Sequence, residues 1–171
     1  MTLQIRDLTT ADDQAVLALN NVEVPRVTAL DEATMQRYRG VLRDTLAIGP
    51  AGDPDGFCWT VGPNAEYWSA NYAWVAEHYD RFVYLDRVVV APRARGQGVA
   101  RAIYDAVSAR AAGMADHFVL EVNTRPRNEE SLAFHTKLGF TEVGRAQPYG
   151  IDPETGVEPE VAYLARPVLG A

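Results

Sequence analysis

The residues best suited to chemistry lie in one short stretch, Ala91-Pro92-Arg93-Ala94-Arg95-Gly96-Gln97-Gly98-Val99-Ala100-Arg101. It follows the apolar run Val88-Val89-Val90 and opens a helical pattern. Two glycines here remove the β-carbons that would hold an anion away from the backbone. The first N–H groups of a helix have no acceptor inside it, and the helix dipole favours negative charge at that end. Arg93 and Arg95 can add charge-assisted hydrogen bonds to a pyrophosphate. No Gly-Lys-Ser/Thr follows, so this is not a P-loop. The run G-x-G-V-A-R also departs from the G-x-G-x-x-G dinucleotide fingerprint. A glycine turn that only starts a helix is the plain alternative. Pro92, the arginines, the strand before and the helix after weigh against it.

These residues need rigid elements around them. Phe82 to Val90 (FVYLDRVVV) is a long, largely apolar run, as expected of a strand covered on both faces. Gly98 to Arg110 is predicted as a helix, with Val99, Ala102, Ile103 and Ala106 on one side and Gly113 ending it. Phe118 to Val122 reads as another buried strand. Asn128 to Leu138 reads as a helix capped by Gly139. Strands follow at Phe140 to Gly144 and near Val161 to Ala165. Before the loop, Leu3 to Asp7 alternates as a strand, and Thr9 and Thr10 offer N-caps to a helix stopped by Pro25. A second helix runs from Asp31 past Tyr38. Thr45 to Gly49 and Phe57 to Val61 form a hairpin turned by Gly52-Asp53-Pro54-Asp55-Gly56. Residues 64 to 83 show no clear period.

Length and composition set bounds on the rest. A chain of 171 residues is naturally read as one domain. No apolar run approaches the roughly 20 residues of a membrane helix, and the N-terminus does not read as a signal peptide. One cysteine provides neither an internal disulfide nor a zinc cluster, which fits a cytoplasmic enzyme without a metal. A net charge of −7 argues against general nucleic-acid binding and suits a cationic partner such as an amine.

Arg93-x-x-Gly96-x-Gly98 resembles the pyrophosphate loop of the GNAT superfamily of acetyltransferases, Arg/Gln-x-x-Gly-x-Gly/Ala. Asn128-Glu-Glu-Ser131-Leu-Ala-Phe134-His135-Thr-Lys-Leu-Gly139-Phe140 is similar to the family's later motif, Asn…Ala-x-x-Phe-Tyr-x-x-x-Gly-Phe. The close resemblance covers residues 82 to 144, and the earlier strand and helix order also suits the family. It implies an α/β (α+β) fold: a mixed, mostly antiparallel sheet of six to seven strands with helices on both faces. A central strand pair, ending at Val90 and Val122, would splay apart. Acetyl-CoA would lie in that cleft, its pantetheine pairing with the backbone of Val88, Val89 and Val90. Its pyrophosphate would meet Arg93, Arg95, Gly96, Gln97, Gly98, Val99, Ala100 and Arg101, with Asn128 and Ser131 also contacting the cofactor. The resemblance further implies direct acetyl transfer to a small-molecule or peptide amine, without a metal, and is compatible with a homodimer.

Such a transfer needs a base for the amine proton, a donor for the oxyanion and a proton for the leaving thiolate. A free alkyl amine has a pKa of about 10.4, so it must lose a proton before attack. The family's usual proton donor is the tyrosine of Phe-Tyr, and His135 stands there. Tyrosine titrates near 10 and histidine near 6.5, so the exchange is not neutral. His135 shares a helix face with Asn128 and Ser131. It either donates a hydrogen bond, donates a proton from its minority imidazolium form, or does neither. Asp86 shares a strand face with Tyr84, Val88 and Val90, and Glu121 shares one with Asn123. Asn123 occupies a place where some members carry a glutamate base. The base is therefore Asp86, Glu121 or an ordered water, unless Asp86 is only an ion-pair partner of Arg87.

Seven of the sixteen aromatic residues fall between Tyr67 and Tyr84. Tyr67, Trp74 and Tyr84 are candidates to roof the acceptor, with Glu66, Glu77 and Asp80 favouring a cation. A hydrophobic flap or dimer contact explains the cluster equally well. Asn20, Asn21 and Glu23 close the first helix, where the family often places acceptor contacts; capping is the simpler account. Cys58, His78 and His117 read as structural. Besides a transferase of acetyl or another acyl group, two classes remain: a weak acyl-CoA sensor, and a phosphate-ligand module unrelated to CoA.

Overall fold

The computed structural model describes residues 3–24 and 27–168. Pro25, the expected stop of the first helix, lies outside the described residues. Seven strands are arranged in the order β1-β2-β3-β4-β5-β7-β6: β1 (Ile5–Asp7), β2 (Asp44–Ile48), β3 (Gly56–Val61), β4 (Phe82–Val90), β5 (His117–Arg125), β6 (Thr141–Ala146) and β7 (Glu160–Pro167). The pairs β1/β2, β2/β3, β5/β7 and β6/β7 are antiparallel. β4 and β5 are parallel, pairing at Phe82 with His117, Val83 with Phe118 and Tyr84 with Val119. That is three residue pairs between two nine-residue strands. Among the described residues five α-helices accompany the strands: α1 (Asp13–Val22), α2 (Glu32–Arg39), α3 (Ala70–His78), α4 (Val99–Ala111) and α5 (Glu129–Lys137).

The chain packs as two compact units. One comprises the residues up to Ala65 with Leu85–Arg110; the other comprises Glu66–Tyr84 and the residues from Ala111. In the first, Leu46, Ile48, Phe57, Cys58 and Val61 are sealed together with Ile103 and Val107 of α4. Val99, Ile103 and Val107 repeat at the spacing that lines one helix face; Ala102 and Ala106 sit at the margin of that face. Gly56 is required by a close approach, since a β-carbon there would stand 2.8 Å from Val99 Cγ1 and 3.0 Å from the Val89 carbonyl oxygen. Asp12 fixes the start of the chain. Its carboxylate accepts two bonds from Arg6 at 2.8 Å, with further bonds from the backbone N–H of Thr9 and Gly52. The Arg6 guanidinium holds that carboxyl well below the usual carboxylate range. Burial pushes the Cys58 thiol up to about 12, as suits a core residue.

The second unit contains a helix that periodicity does not reveal. Residues 64 to 83 look irregular because Tyr72, Trp74 and Val75 do not form a clean 3.6-residue stripe and Asn71 sits on the buried side. α3 forms nonetheless, with the Ser69 hydroxyl capping the Tyr72 N–H at 3.3 Å. Its seat is a row across three strands. Glu121 on β5 pairs with Tyr163 on β7, and Gly144 on β6 pairs with the same Tyr163. Trp74 stacks flat on Tyr163, centroids 3.8 Å apart and planes 3° from parallel. The indole occupies the space over Gly144, where a β-carbon would stand 2.5 Å from Trp74 Cζ2.

Replacing Gly144 with Ala must push that indole or the β6 bulge aside. Overpacking of this kind costs about 1–3 kcal/mol. Urea unfolding of Gly144→Ala should show a lower midpoint by that amount, partly restored by Trp74→Leu in the same chain; an unchanged midpoint would mean that the indole moves freely.

Candidate functional site

In the first unit, β4 delivers the chain to a 3-10 turn at Pro92–Ala94, and α4 begins after Gly98. Gly96 and Gly98 have φ of +74° and +82° with no atom within 4 Å of a built β-carbon. Both are therefore glycine for backbone conformation, and both leave open space above the loop. The Ala102 N–H donates to the Gly98 carbonyl at 3.0 Å, so the N–H groups of Gly98, Val99, Ala100 and Arg101 have no acceptor within the helix. Residues 95 to 98 are exposed, Val99 is buried beneath them, Ala100 is half-buried and Arg101 is exposed. The Gln97 side chain donates to the Arg93 carbonyl at 2.7 Å and braces the turn.

The arginines are held elsewhere. Arg93 Nε donates to Asp55 at 2.9 Å and Nη2 to Asp53 at 2.7 Å, tying the loop to the β2–β3 turn. Arg95 donates to the Glu23 carboxylate and, at 3.4 Å, to the Val90 carbonyl. Both arginines, expected to meet a pyrophosphate, are thus paired with carboxylates in this structure, beside the open space over Gly96 and Gly98.

β4 alternates as its sequence suggests. Asp86, Val88 and Val90 are half-buried, while Arg87 and Val89 are buried. Arg87, named from the sequence only as an ion-pair partner for Asp86, organises its surroundings. Its Nη1 donates to Asn20 Oδ1 at 2.7 Å and to the Thr28 carbonyl at 3.1 Å, and Nη2 donates to the Tyr38 hydroxyl at 3.4 Å. The guanidinium lies over the Tyr38 and Trp59 rings at 5.4 Å from each centroid, and Nε stands 3.7 Å from Asp86 Oδ2. Asn20 is fully buried and gives its amide to Thr28 and Asn21. Asn21 clamps Leu30 through the backbone N–H and C=O at 2.9 and 2.8 Å. Both asparagines, expected to touch the acceptor, hold the segment after α1.

In the second unit, Glu121 and Asn123 are half-buried on one face of β5. Glu121 Oε2 accepts from the Tyr84 hydroxyl at 2.8 Å and Oε1 from Asn71 Nδ2 at 3.1 Å. Asn71 also donates to the Tyr149 hydroxyl at 3.2 Å and accepts from the Tyr163 hydroxyl at 3.0 Å. Burial and the nearby Glu121 carboxylate raise the Tyr163 phenol, which stays protonated as a donor. Asn71, Tyr149 and Tyr163 escaped the sequence reading; the only signal was an asparagine inside an aromatic window. Tyr67 meets Trp68 and Tyr72 edge-on at 4.9 and 5.5 Å. Trp74 has both faces covered, by Tyr163 and by His78 at 3.8 Å each, so its ring packs α3 rather than offering a face to a ligand.

The Asn123 carbonyl accepts the Asn128 N–H at 3.0 Å, and Asn128 Oδ1 caps α5 through the Ser131 N–H at 3.1 Å. His135 is buried, edge-on to Phe134 and Phe140, and its Nδ1 donates to the Ser131 carbonyl at 2.7 Å. The Ser131 hydroxyl stands 3.3 Å from the same nitrogen. Burial, with the positive Arg166 nearby, pushes the imidazole down to about 4. Among the described residues no three His, Cys, Asp or Glu side chains are grouped to hold a metal, and no helix is long and apolar enough to cross a membrane.

The model of the acetyltransferase (GNAT) family matches residues 27–140. No curated protein matches the sequence. Many solved structures share the fold at low identity. A ribosomal-protein-alanine N-acetyltransferase from Brucella melitensis is 22% identical with a TM-score of 0.69, covering 96% of this chain and 99% of its own. NAA60 from Arabidopsis thaliana, solved with a bisubstrate analogue, is 15% identical with a TM-score of 0.76, covering 99% and 100%. A phosphinothricin acetyltransferase from Sinorhizobium meliloti, solved with acetyl-CoA, is 20% identical with a TM-score of 0.70, covering 98% and 89%. With two thirds of its length matched by the family model, a mixed seven-stranded sheet and the glycine loop at the start of α4, this chain belongs to the acetyltransferase (GNAT) family and is an acyltransferase.

Proposed function

We propose that the protein is a single-domain N-acetyltransferase that passes the acetyl group of acetyl-CoA directly to an amine, in a ternary complex. The acceptor class is a small amine, an amino-acid derivative or a peptide amine. One observation carries this reading: two exposed left-handed glycines at the head of a thirteen-residue helix, with open space above them and uncommitted helix N–H groups beside it. These N–H groups would receive the pyrophosphate. Arg93 and Arg95 would support it by exchanging exposed ion pairs, each worth no more than about 1 kcal/mol, for phosphate contacts. A cytoplasmic setting agrees with the one free, buried cysteine.

The environment of His135 bears on its role. At neutral pH an imidazole held near 4 is almost wholly uncharged, and its Nδ1 proton is engaged by the Ser131 carbonyl. Nε2 is then the unprotonated, accepting nitrogen. The reading that fits is a packing and cap-bracing role for His135, with no imidazolium donor to the leaving thiolate. That observation also favours a second reading, an acyl-CoA-binding sensor with weak turnover. Release of free thiol from acetyl-CoA in the presence of an amine panel separates the two.

Calorimetric titration tests the main reading. Acetyl-CoA should bind the wild type in preference to ATP, with CoA as a further comparator. Gly98→Ala places a β-carbon in the open space where the pyrophosphate would approach the backbone and should weaken acetyl-CoA binding about tenfold. Absence of binding to any CoA species would remove the proposal.

His135 also makes stability depend on pH. The folded state holds the ring near 4 and the unfolded chain near 6.5, so the unfolded state takes up the proton first. Stability is full above about 6.5 and falls as pH drops toward 4, by up to about 3 kcal/mol. Denaturant midpoints for wild type and His135→Phe should converge or cross over that window; parallel profiles would refute the buried neutral state.

A further inference from the structure

We infer that Asn71 is a positioning residue of the acceptor side. It sets the Glu121 carboxylate to receive a protonated amine and links Tyr149 to the same point. The inference rests on the transferase reading and adds to it the residue that fixes the carboxylate and the charge of the group it takes.

The geometry of the carboxamide carries the argument. Asn71 is 4% exposed and sits in the first turn of α3. Its two N–H bonds are directed to Glu121 Oε1 at 3.1 Å and to the Tyr149 hydroxyl at 3.2 Å, while its oxygen accepts from Tyr163 at 3.0 Å. Only one orientation of the amide satisfies all three. Turned over, its oxygen would face the carboxylate oxygen, and two acceptors would be opposed. The Tyr84 hydroxyl fixes the second carboxylate oxygen at 2.8 Å. Glu121 is thus gripped on both oxygens by neutral donors.

Apolar packing alone would seat a helix on the Tyr163 ring, but a leucine at position 71 would leave the buried Tyr163 hydroxyl without the acceptor that the amide supplies, and the buried amide in turn needs every bond it makes. The network also does not end in the core. It runs from the buried Asn71 and Tyr163 out to a half-buried carboxylate and to Tyr149, which is 60% exposed on the connection between β6 and β7. An oriented carboxylate with the hydroxyl of a surface tyrosine on the same amide forms a setting that favours an alkylammonium ion, through charge and hydrogen bonding. Tyr149 reaches this point from a connection whose own turn is closed by the Gly156 N–H on Asp152 at 2.8 Å. The same amide that orients Glu121 therefore holds a surface tyrosine beside it.

The test uses n-butylammonium as the probe and the full chain with glutamate labelled by 13C at the side-chain carboxyl. Titration should shift the Glu121 carboxyl signal saturably, and Glu121→Gln identifies that signal by its loss. Asn71→Asp replaces the donor facing Glu121 with a second carboxylate and should change the apparent Kd for the probe at least fivefold. Tyr149→Phe, a surface change that leaves α3 intact, should weaken it two- to threefold and keeps the test decisive if Asn71→Asp does not fold. Acetyl-CoA affinity, read by calorimetry on the same samples, should stay within twofold. A Glu121 signal indifferent to the probe, or variants that bind it as the wild type does, would overturn the inference. Loss of acetyl-CoA binding in the wild type would instead count against the transferase reading itself.

Discussion

A carboxamide buried under α3 must satisfy three partners at once, and much of the second unit follows from that demand. Asn71 can be satisfied only where a hydroxyl donates and a carboxylate accepts, and Tyr163 and Glu121, cross-strand partners on β7 and β5, supply both. The same row continues to Gly144 on β6, whose missing β-carbon admits the Trp74 indole. One amide and one aromatic stack, three residues apart on the helix, lock α3 in translation and rotation. The stack is the larger apolar contribution, and the amide supplies direction, since dispersion between flat rings tolerates sliding and a hydrogen bond does not.

The first unit solves a different problem with arginines. Arg6, Arg87, Arg93 and Arg95 each meet a carboxylate or a set of carbonyl and amide oxygens, and each ties two stretches distant in sequence. Their energetic weight differs with burial. Arg87 is sealed over two aromatic rings, so removing one of its partners would leave a buried charge, which is costly. Arg93 and Arg95 are about half exposed, where an ion pair contributes little and exchanges readily. The half-exposed arginines therefore tie the loop to its neighbours through pairs that exchange at little cost. The buried one fixes the path of the segment around Thr28 permanently.

The strands and the loop were legible because their signals are local. β4 follows its apolar run, α4 starts where Gly98 ends, and the left-handed glycines stand where the spacing placed them. α3 was not legible, since its buried face mixes asparagine with aromatics and is defined by what lies beneath it rather than by period. Asn20 and Asn21 read as helix-end residues, for acceptor contact or for capping. Asn20 is buried against Arg87, sixty-seven positions later, and Asn21, still exposed, is taken up by the Leu30 backbone. Arg93 and Arg95 were correctly placed on the loop, but their partners come from a turn and a helix end that no motif specifies. Long-range pairing of charges is what the one-dimensional pattern omits.

His135 shows how a motif position can retain its shape and change its chemistry. A phenol at that place brings an acidic proton matched to a thiol; an imidazole pressed between Phe134 and Phe140, with Arg166 close by, brings none at neutral pH. The Ser131 carbonyl takes the one N–H, and the ring's other nitrogen can only accept. If transfer proceeds in this chain, the proton for the departing sulfur must come from the solvent side or travel from the amine itself. The amine leaves as an amide and gives up a proton in any case, so the reaction is balanced without a resident acid. A site without a resident acid depends on how well its base side is arranged rather than on the residue that fills the familiar position.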